Sequence, residues 1–347
     1  MHQAGCIFDH HVVIRIEQQK SRRMKTNNNQ SREDKKINLT IMVAIVIFLI
    51  IAFLAIGVRA SAQERVEMLP FGDFESWTET AIKESKLIGG KTKTLYKIGN
   101  IWDCSNAHAK AFGVDKVSVS VRPERRGDGY CCRMETTLEE VSAIGIDLKA
   151  VATGALFTGK MIDIVGMQQS SDPNSGIDMG VPFTGRPKAL QLDYKAFIQP
   201  EGQVVFADAG TKVKNVSGCD AGQISLILQH RWEENGHIYA YRVGTAHEFI
   251  RNSTEDWVNA HQVDICYEGN EQACLMPLCT DRQKARNSQG KMVCIEEVDW
   301  RGDAEPTHII IQISAGSQKP FTGCPGNTVW CDNIGLVYDE QALAKGK

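Results

Sequence analysis

From Leu190 the apolar side chains fall on every second position (Leu190, Leu192, Tyr194, Ala196, Ile198), with Gln191, Asp193 and Lys195 between them. Successive side chains of a strand point to opposite faces, so this spacing predicts a half-buried strand with one face in a core. Ahead of it, Gly185 and Pro187 bracket Arg186, and each disfavours helix. That stretch reads as a rigid extended corner feeding a central strand. Val117–Val121 alternates in the same way, and a turn over Arg125–Gly129 leads into Tyr130–Thr137, predicting a hairpin. Gln223–Trp232 and His237–Val243 predict a second hairpin across Glu233-Glu234-Asn235-Gly236. Shorter strands are predicted at Phe71–Trp77, with Phe74 inward and Asp73 and Glu75 opposite, and at Gly154–Lys160. Leu95–Asp103 reads as a strand entering a loop, and the polar run 168–176 as a loop. Thr307–Ser314 is too apolar to have a wet face, and Thr328–Tyr338 closes the chain. Helical periods are nearly absent after Gln63. The expected fold is all-β, an antiparallel jelly-roll β-sandwich.

Before Gln63 the pattern is different. Leu39–Val58 is an apolar run of 20 residues broken only by Thr40 and Gly57, and a basic segment precedes it. That order keeps the N-terminal side in the cytoplasm and exports the chain beyond the run. Ala60-Ser61-Ala62 has the small-x-small form that a signal peptidase cuts, while the run is also long enough to stay as an anchor. The expected organisation is a basic leader over 1–38, with Met24 a more natural start than Met1. The apolar segment and cleavage site occupy 39–62, as a signal peptide or a transmembrane helix. A folded domain covers 63–339 and a frayed tail 340–347. The domain is expected in the periplasm, at the cell surface or secreted, touching membrane only through the N-terminal segment.

Nine of the 39 basic and four of the 42 acidic residues precede Gln63, which leaves the domain 30 against 38. Such a balance excludes nucleic acid as a partner, since that needs a basic face. Ten of the 11 cysteines lie in the domain, and an even number in an exported chain predicts disulfides. Cys324 and Cys331, around Pro325-Gly326-Asn327, suit a bridge across a hairpin. The four cysteines between Cys266 and Cys294 read as a pinned excursion from one edge of the domain. No CxxC pair supports zinc.

Five stretches occur in an order that resembles the putative carbohydrate metabolism domain family of Bacteroidetes. They are Phe71-Gly72-Asp73-Phe74-Glu75-x-Trp77, Ala155–Lys160, Pro182–Leu190, Pro306–Ile311 and Asn327–Tyr338, and the resemblance covers roughly residues 68–339. It implies a jelly roll similar to carbohydrate-binding modules and a saccharide, an oligo- or polysaccharide, as partner. In binding-module jelly rolls a similar pattern on paired terminal strands holds calcium. By that resemblance Glu75 and Asp332 are ligands of a structural Ca2+, which wants six to eight oxygens. The alternative is that these acids solvate a sheet edge or accept bonds from a neighbouring turn. No other cofactor is expected.

A sugar site combines aromatic platforms with planar polar groups, because sugar C–H faces pack on rings and hydroxyls need paired partners. Trp77, Trp102, Arg186, Tyr194, Trp232, Tyr239, Tyr241 and Trp330 are the candidates. The expected site is Trp102 and Asp103 in a loop, with Arg186 and Tyr194. Arg186 has a competing reading, as an arginine that pairs with Asp193 or caps loop carbonyls. Trp77 and Trp330 read as core. Glycoside hydrolysis needs two facing carboxylates. Asp128, Glu135, Asp163, Asp178, Asp193, Glu233, Glu234 and Asp264 are available, and no spacing singles out a pair. The sequence therefore favours a carbohydrate-binding protein. The alternatives are a glycoside hydrolase of the same fold and a sandwich that serves adhesion or structure without a sugar site.

Overall fold

The computed structural model describes residues 42, 64–111, 113–143, 145–166, 169, 172–267 and 276–339. The leader, its apolar run and the tail lie outside the described residues, Met42 aside. The chain divides after Gln63, and the unit from Glu64 onward is the folded domain. Among the described residues no helix is long and apolar enough to cross a membrane.

The domain is all-β and jelly-roll-like, built on two large sheets. In the six-stranded sheet Ala189–Phe197 lies between Val258–Asp264 and the closing strand Thr328–Asp339. The hairpin Val121–Arg126 and Gly129–Glu135 adds to the closing strand, as does Glu64–Met68. The first and last segments therefore meet: Leu69 donates to the Ile334 carbonyl at 2.9 Å and Ile334 to that of Gly72 at 3.0 Å. The predicted alternation holds. Leu190, Leu192, Ala196 and Ile198 face the main core and are at most 9% exposed.

The nine-stranded sheet is centred on His308–Ser314 and the long hairpin Gly222–Glu234 and His237–Ile250. Asn235 and Gly236 both have positive φ, 52° and 81°, the two-residue turn whose twist matches that of the strands. One flank carries Ala155–Met161 and Ile177–Met179; the other carries Met292–Trp300, in the sheet's parallel pairing, and Lys284–Arg286. Arg286 N–H donates to Asp178 at 3.0 Å and Lys284 pairs with Asp172, so the two edges of the sheet approach each other. They enclose a second core of Phe157, Met161, Ile177, Met179, Ile227, Ile238, Ile295 and Ile310. The main core lies between the other face of these strands and the six-stranded sheet.

Several expectations change. Phe74 is fully buried as predicted, yet it sits in a turn with φ 48° and not in a strand. Trp102–Cys104 is a strand paired with Ala155–Met161, not a loop. The segment after Cys266 returns as two strands of the large sheet, so its second half is no excursion; residues 268–275 lie outside the described ones. No hairpin joins Cys324 to Cys331. Thr322–Gly323 pairs with Val205–Phe206, whereas Thr328–Asp339 belongs to the six-stranded sheet, so the chain changes sheets between the two thiols.

Candidate functional site

The distal half of the long hairpin gathers aromatic rings on one face. Register places Trp232 opposite Tyr239 and His230 opposite Tyr241, with His237 next to the turn. Residues two apart on a strand and directly opposite on its neighbour share a face, so five rings become one surface. The ring centroids of Trp232 lie 4.7 Å from Tyr241 and 5.8 Å from Tyr239; those of His230 and Tyr241 are 6.2 Å apart. Two of these pairs are stacked at 27° from parallel, while Trp232 and Tyr241, which join them, are tilted by 46°. Trp232, Tyr239, Tyr241 and His230 are partly exposed, and His237 is exposed. The Arg301 guanidinium lies 5.3 Å from the Tyr241 ring and is itself held by Asp299 at 2.9 Å.

The reverse face of the same strands is charged and buried. Arg242 is fully buried and binds Glu297 through Nε at 2.7 Å and through Nη2. Gln229 donates to Glu297 at 2.6 Å, and the Cys279 N–H does so at 2.7 Å. Arg231 lies beside them, its Nε on Gln229 Oε1 at 2.7 Å and its Nη1 on the Met179 carbonyl at 3.0 Å. Its Nη2 is buried with no partner among the described residues. Gly180, with φ 85°, leaves room for this nitrogen, since a Cβ there would sit 2.7 Å from it. Burial pulls the Arg231 guanidinium down to about 10. Burial and the neighbouring Arg231 charge bring His308 down to about 4, so its imidazole is neutral at pH 7.

A second polar constellation lies on the six-stranded sheet. Arg126 Nη1 binds Asp193 at 2.8 Å and Asp332 at 2.7 Å, while its Nη2 reaches Asn259 at 2.7 Å. Both carboxylate oxygens lie within 2.8 Å of one nitrogen, so they are less than about 5.6 Å apart. Asp193 also accepts from the Ala260 N–H at 2.7 Å and from Asn333 Nδ2 at 2.9 Å. Ala260 and Asn333 both have φ 51°, in bulges that turn these donors toward it. Burial pushes both carboxyls up. The hydrogen bonds of Ala260, Asn333 and Arg126 more than offset this at Asp193, whose pKa is lowered; at Asp332 burial prevails and the pKa is raised. The Trp257 ring lies 3.9 Å from the Arg126 guanidinium.

The residues expected to form the site are scattered. Trp102 is 2% exposed and donates to the Pro70 carbonyl at 2.9 Å, so it is core and offers a sugar no face. Asp103 is 6% exposed and is occupied by Lys97 at 2.8 Å and the Met161 N–H at 2.9 Å. Arg186 is exposed, bonds the Ala304 and Gly302 carbonyls and covers the Tyr267 ring, which is its loop-capping reading. Tyr194 packs edge-on against His261 at 5.1 Å. Glu75 accepts from the Tyr130 N–H at 3.1 Å, and Asp332 faces Arg126. Among the described residues no cluster of three or more His, Cys, Asp or Glu fits a metal. Trp77 packs against the main core. Trp330 donates to Glu124 at 2.8 Å beneath Arg133.

Trp232, Tyr239 and Tyr241 were thus legible as candidates, but His230, His237, Arg301, Arg126 and the buried network were not. The missed signal is the Asn-Gly turn, because counting outward from it pairs 234 with 237, 232 with 239 and 230 with 241.

These features define an all-β sandwich domain with an aromatic face on one sheet and a carboxylate–arginine cluster on the other. The model of the putative carbohydrate metabolism domain matches residues 73–337, and the chain belongs to that family. Among solved structures it is similar to a putative glycoside hydrolase from Bacteroides thetaiotaomicron, at 18% identity and a TM-score of 0.42, over 75% of this chain and 71% of that one. A putative glycoside hydrolase from Bacteroides vulgatus is similar at 16% identity and a TM-score of 0.41, over 78% and 94%. No curated protein matches the chain.

Proposed function

We propose that this domain binds a carbohydrate chain on the aromatic face of its long hairpin. The supporting observation is five neighbouring rings on one face, partly or fully exposed, with Arg301 at their margin. Rings stack on sugar C–H faces, and partly exposed ones still have apolar surface to remove from water in doing so. Family membership supports the substrate class. The basic segment and apolar run at the N-terminus support a place outside the cytoplasm, in the periplasm or at the cell surface.

Electrophoresis in gels that contain different soluble polysaccharides tests the reading. Retardation by at least one polysaccharide, reduced in Trp232→Ala and Tyr239→Ala variants that melt like the parent, is the expected result. Each ring contributes about 0.5–1.5 kcal/mol beyond its area, so each loss weakens binding by roughly 2- to 10-fold. Retardation unchanged in both variants refutes this face, and no retardation in any gel favours a structural or adhesive sandwich.

A second reading, a retaining glycoside hydrolase, is favoured by the Asp193–Asp332 pair. Its facing oxygens lie less than about 5.6 Å apart, a bound that admits the separation of about 5–5.5 Å that retaining hydrolysis uses, and the two carboxyls are shifted in opposite directions. In that reading Asp332 holds the proton and Asp193 is the anion, with Arg126 giving way to substrate. Release of reducing sugar, abolished by Asp332→Asn, supports it; full turnover in that variant removes it.

A further inference from the structure

Cys132 and Cys331 are register partners on adjacent antiparallel strands, Gly129–Glu135 and Thr328–Asp339. Directly opposite residues have Cα atoms about 4.5–5.5 Å apart, inside the 4.4–6.8 Å that a disulfide spans. Both side chains are fully buried on the core face of the sheet. We infer that Cys132 and Cys331 form a disulfide across the six-stranded sheet when the protein folds in an oxidising compartment.

The neighbouring cysteines are less well placed for this bond. Cys131 points to the opposite face, where its thiol donates to the Glu124 carbonyl at 3.4 Å. Cys324 precedes the change of sheet, and its thiol neighbour is the exposed Cys219. Cys104 is a third thiol near Cys132, but it stands on a strand of the other large sheet. A bond from Cys132 to Cys104 would therefore have to cross the core.

The reaction is thiol–disulfide exchange. The two protein thiols give up two protons and two electrons and form one sulfur–sulfur bond. An acceptor disulfide, such as oxidised glutathione, takes them and breaks into two thiols. Burial holds both sulfurs away from solvent, so exchange takes place on the incompletely folded chain. The bridge then fastens the last strand to a hairpin about 200 residues earlier.

Refolding the chain with reduced and oxidised glutathione, blocking remaining thiols and mapping unreduced peptides tests this. Chymotrypsin is used because it cuts after Trp330 and so parts Cys324 from Cys331. A Cys131→Ser chain removes the ambiguity between neighbours. The expected map holds one linked peptide pair that contains Cys132 and Cys331 and disappears on reduction. Blocked, unlinked Cys132 and Cys331, or linkage of either to Cys104 or Cys324, overturns the inference. In a second measurement a reductant lowers the melting midpoint of the parent but not that of Cys132→Ser/Cys331→Ser. Equal shifts in both chains overturn it as well.

Discussion

Replacing Glu297 by Gln tests how the aromatic hairpin is held. Both carboxylate oxygens of Glu297 are used, by Arg242 Nε and Nη2, by Gln229 Nε2 and by the Cys279 N–H. A Gln side chain keeps one acceptor and turns an NH2 toward these donors, and the change leaves Arg242 buried without a counter-charge. Breaking a buried pair from one side costs about 3–5 kcal/mol, because the remaining charge is uncompensated. At about 2–4 °C per kcal/mol for a domain near this size, the melting midpoint falls by roughly 6–20 °C. Removing both charges with Glu297→Leu/Arg242→Met restores most of the loss, since apolar replacement of a whole buried pair is often neutral. Circular dichroism melts and urea titrations of the three chains measure this. A Glu297→Gln chain within about 1 kcal/mol of the parent, or a double variant as unstable as the single, refutes the reasoning.

Trp102→Ala is expected to cost about 3–5 kcal/mol in urea titration while gel retardation per folded molecule is kept, because Trp102 is core; lost binding at unchanged stability would return it to the site. His308 is lowered to about 4 in the fold against an ordinary value of 6.5. The unfolded chain therefore takes the proton first, and stability present above pH 6.5 drains away as pH falls toward 4. Discounted for partial exposure, this is on the order of 1–2 kcal/mol; a His308→Gln chain should lack that slope, and an unchanged slope refutes the assignment. EDTA is expected to leave the melting midpoint in place, since Asp332 is held by Arg126 and Glu75 by the Tyr130 N–H. A clear drop on chelation that calcium reverses would give both acids a metal role.

Strands were legible where one face is wetter than the other, because the period of two then survives in the sequence, as Leu190, Leu192 and Ala196 show. What the period does not carry is partnership. Trp102 and Asp103 lie next to Gly99 and Asn100, residues that signal a turn, and the turn is real; Trp102 donates its backbone N–H back to the Gly99 carbonyl at 3.1 Å. The chain then re-enters a sheet at once, which no local signal announces. Cys324 and Cys331 were matched across a plausible turn, but hydrogen bonding to Val205–Phe206 on one side and to the six-stranded sheet on the other decides where each strand goes. Asp193 was visible as a polar position of a strand. Its role depends on Arg126 and Asp332, 67 residues before it and 139 after it, which only pairing brings together.

The hairpin Gly222–Glu234 and His237–Ile250 explains why an aromatic face and a buried ion network coexist. Its alternation sends His230, Trp232, Tyr239 and Tyr241 to one side and Gln229, Arg231 and Arg242 to the other. Partly exposed rings cannot fix a hairpin by burial, because they keep part of their surface in water. The opposite face can: Glu297 ties Arg242 and Gln229 to the neighbouring strand, and Arg231 reaches the Met179 carbonyl across the enclosed core. Directional bonds on the hidden side thus set the spacing of rings on the open side. An apolar network in their place would serve stability as well, but it would hold the rings by shape alone. The Glu297→Leu/Arg242→Met chain separates these roles, since it should melt near the parent and still bind carbohydrate more weakly.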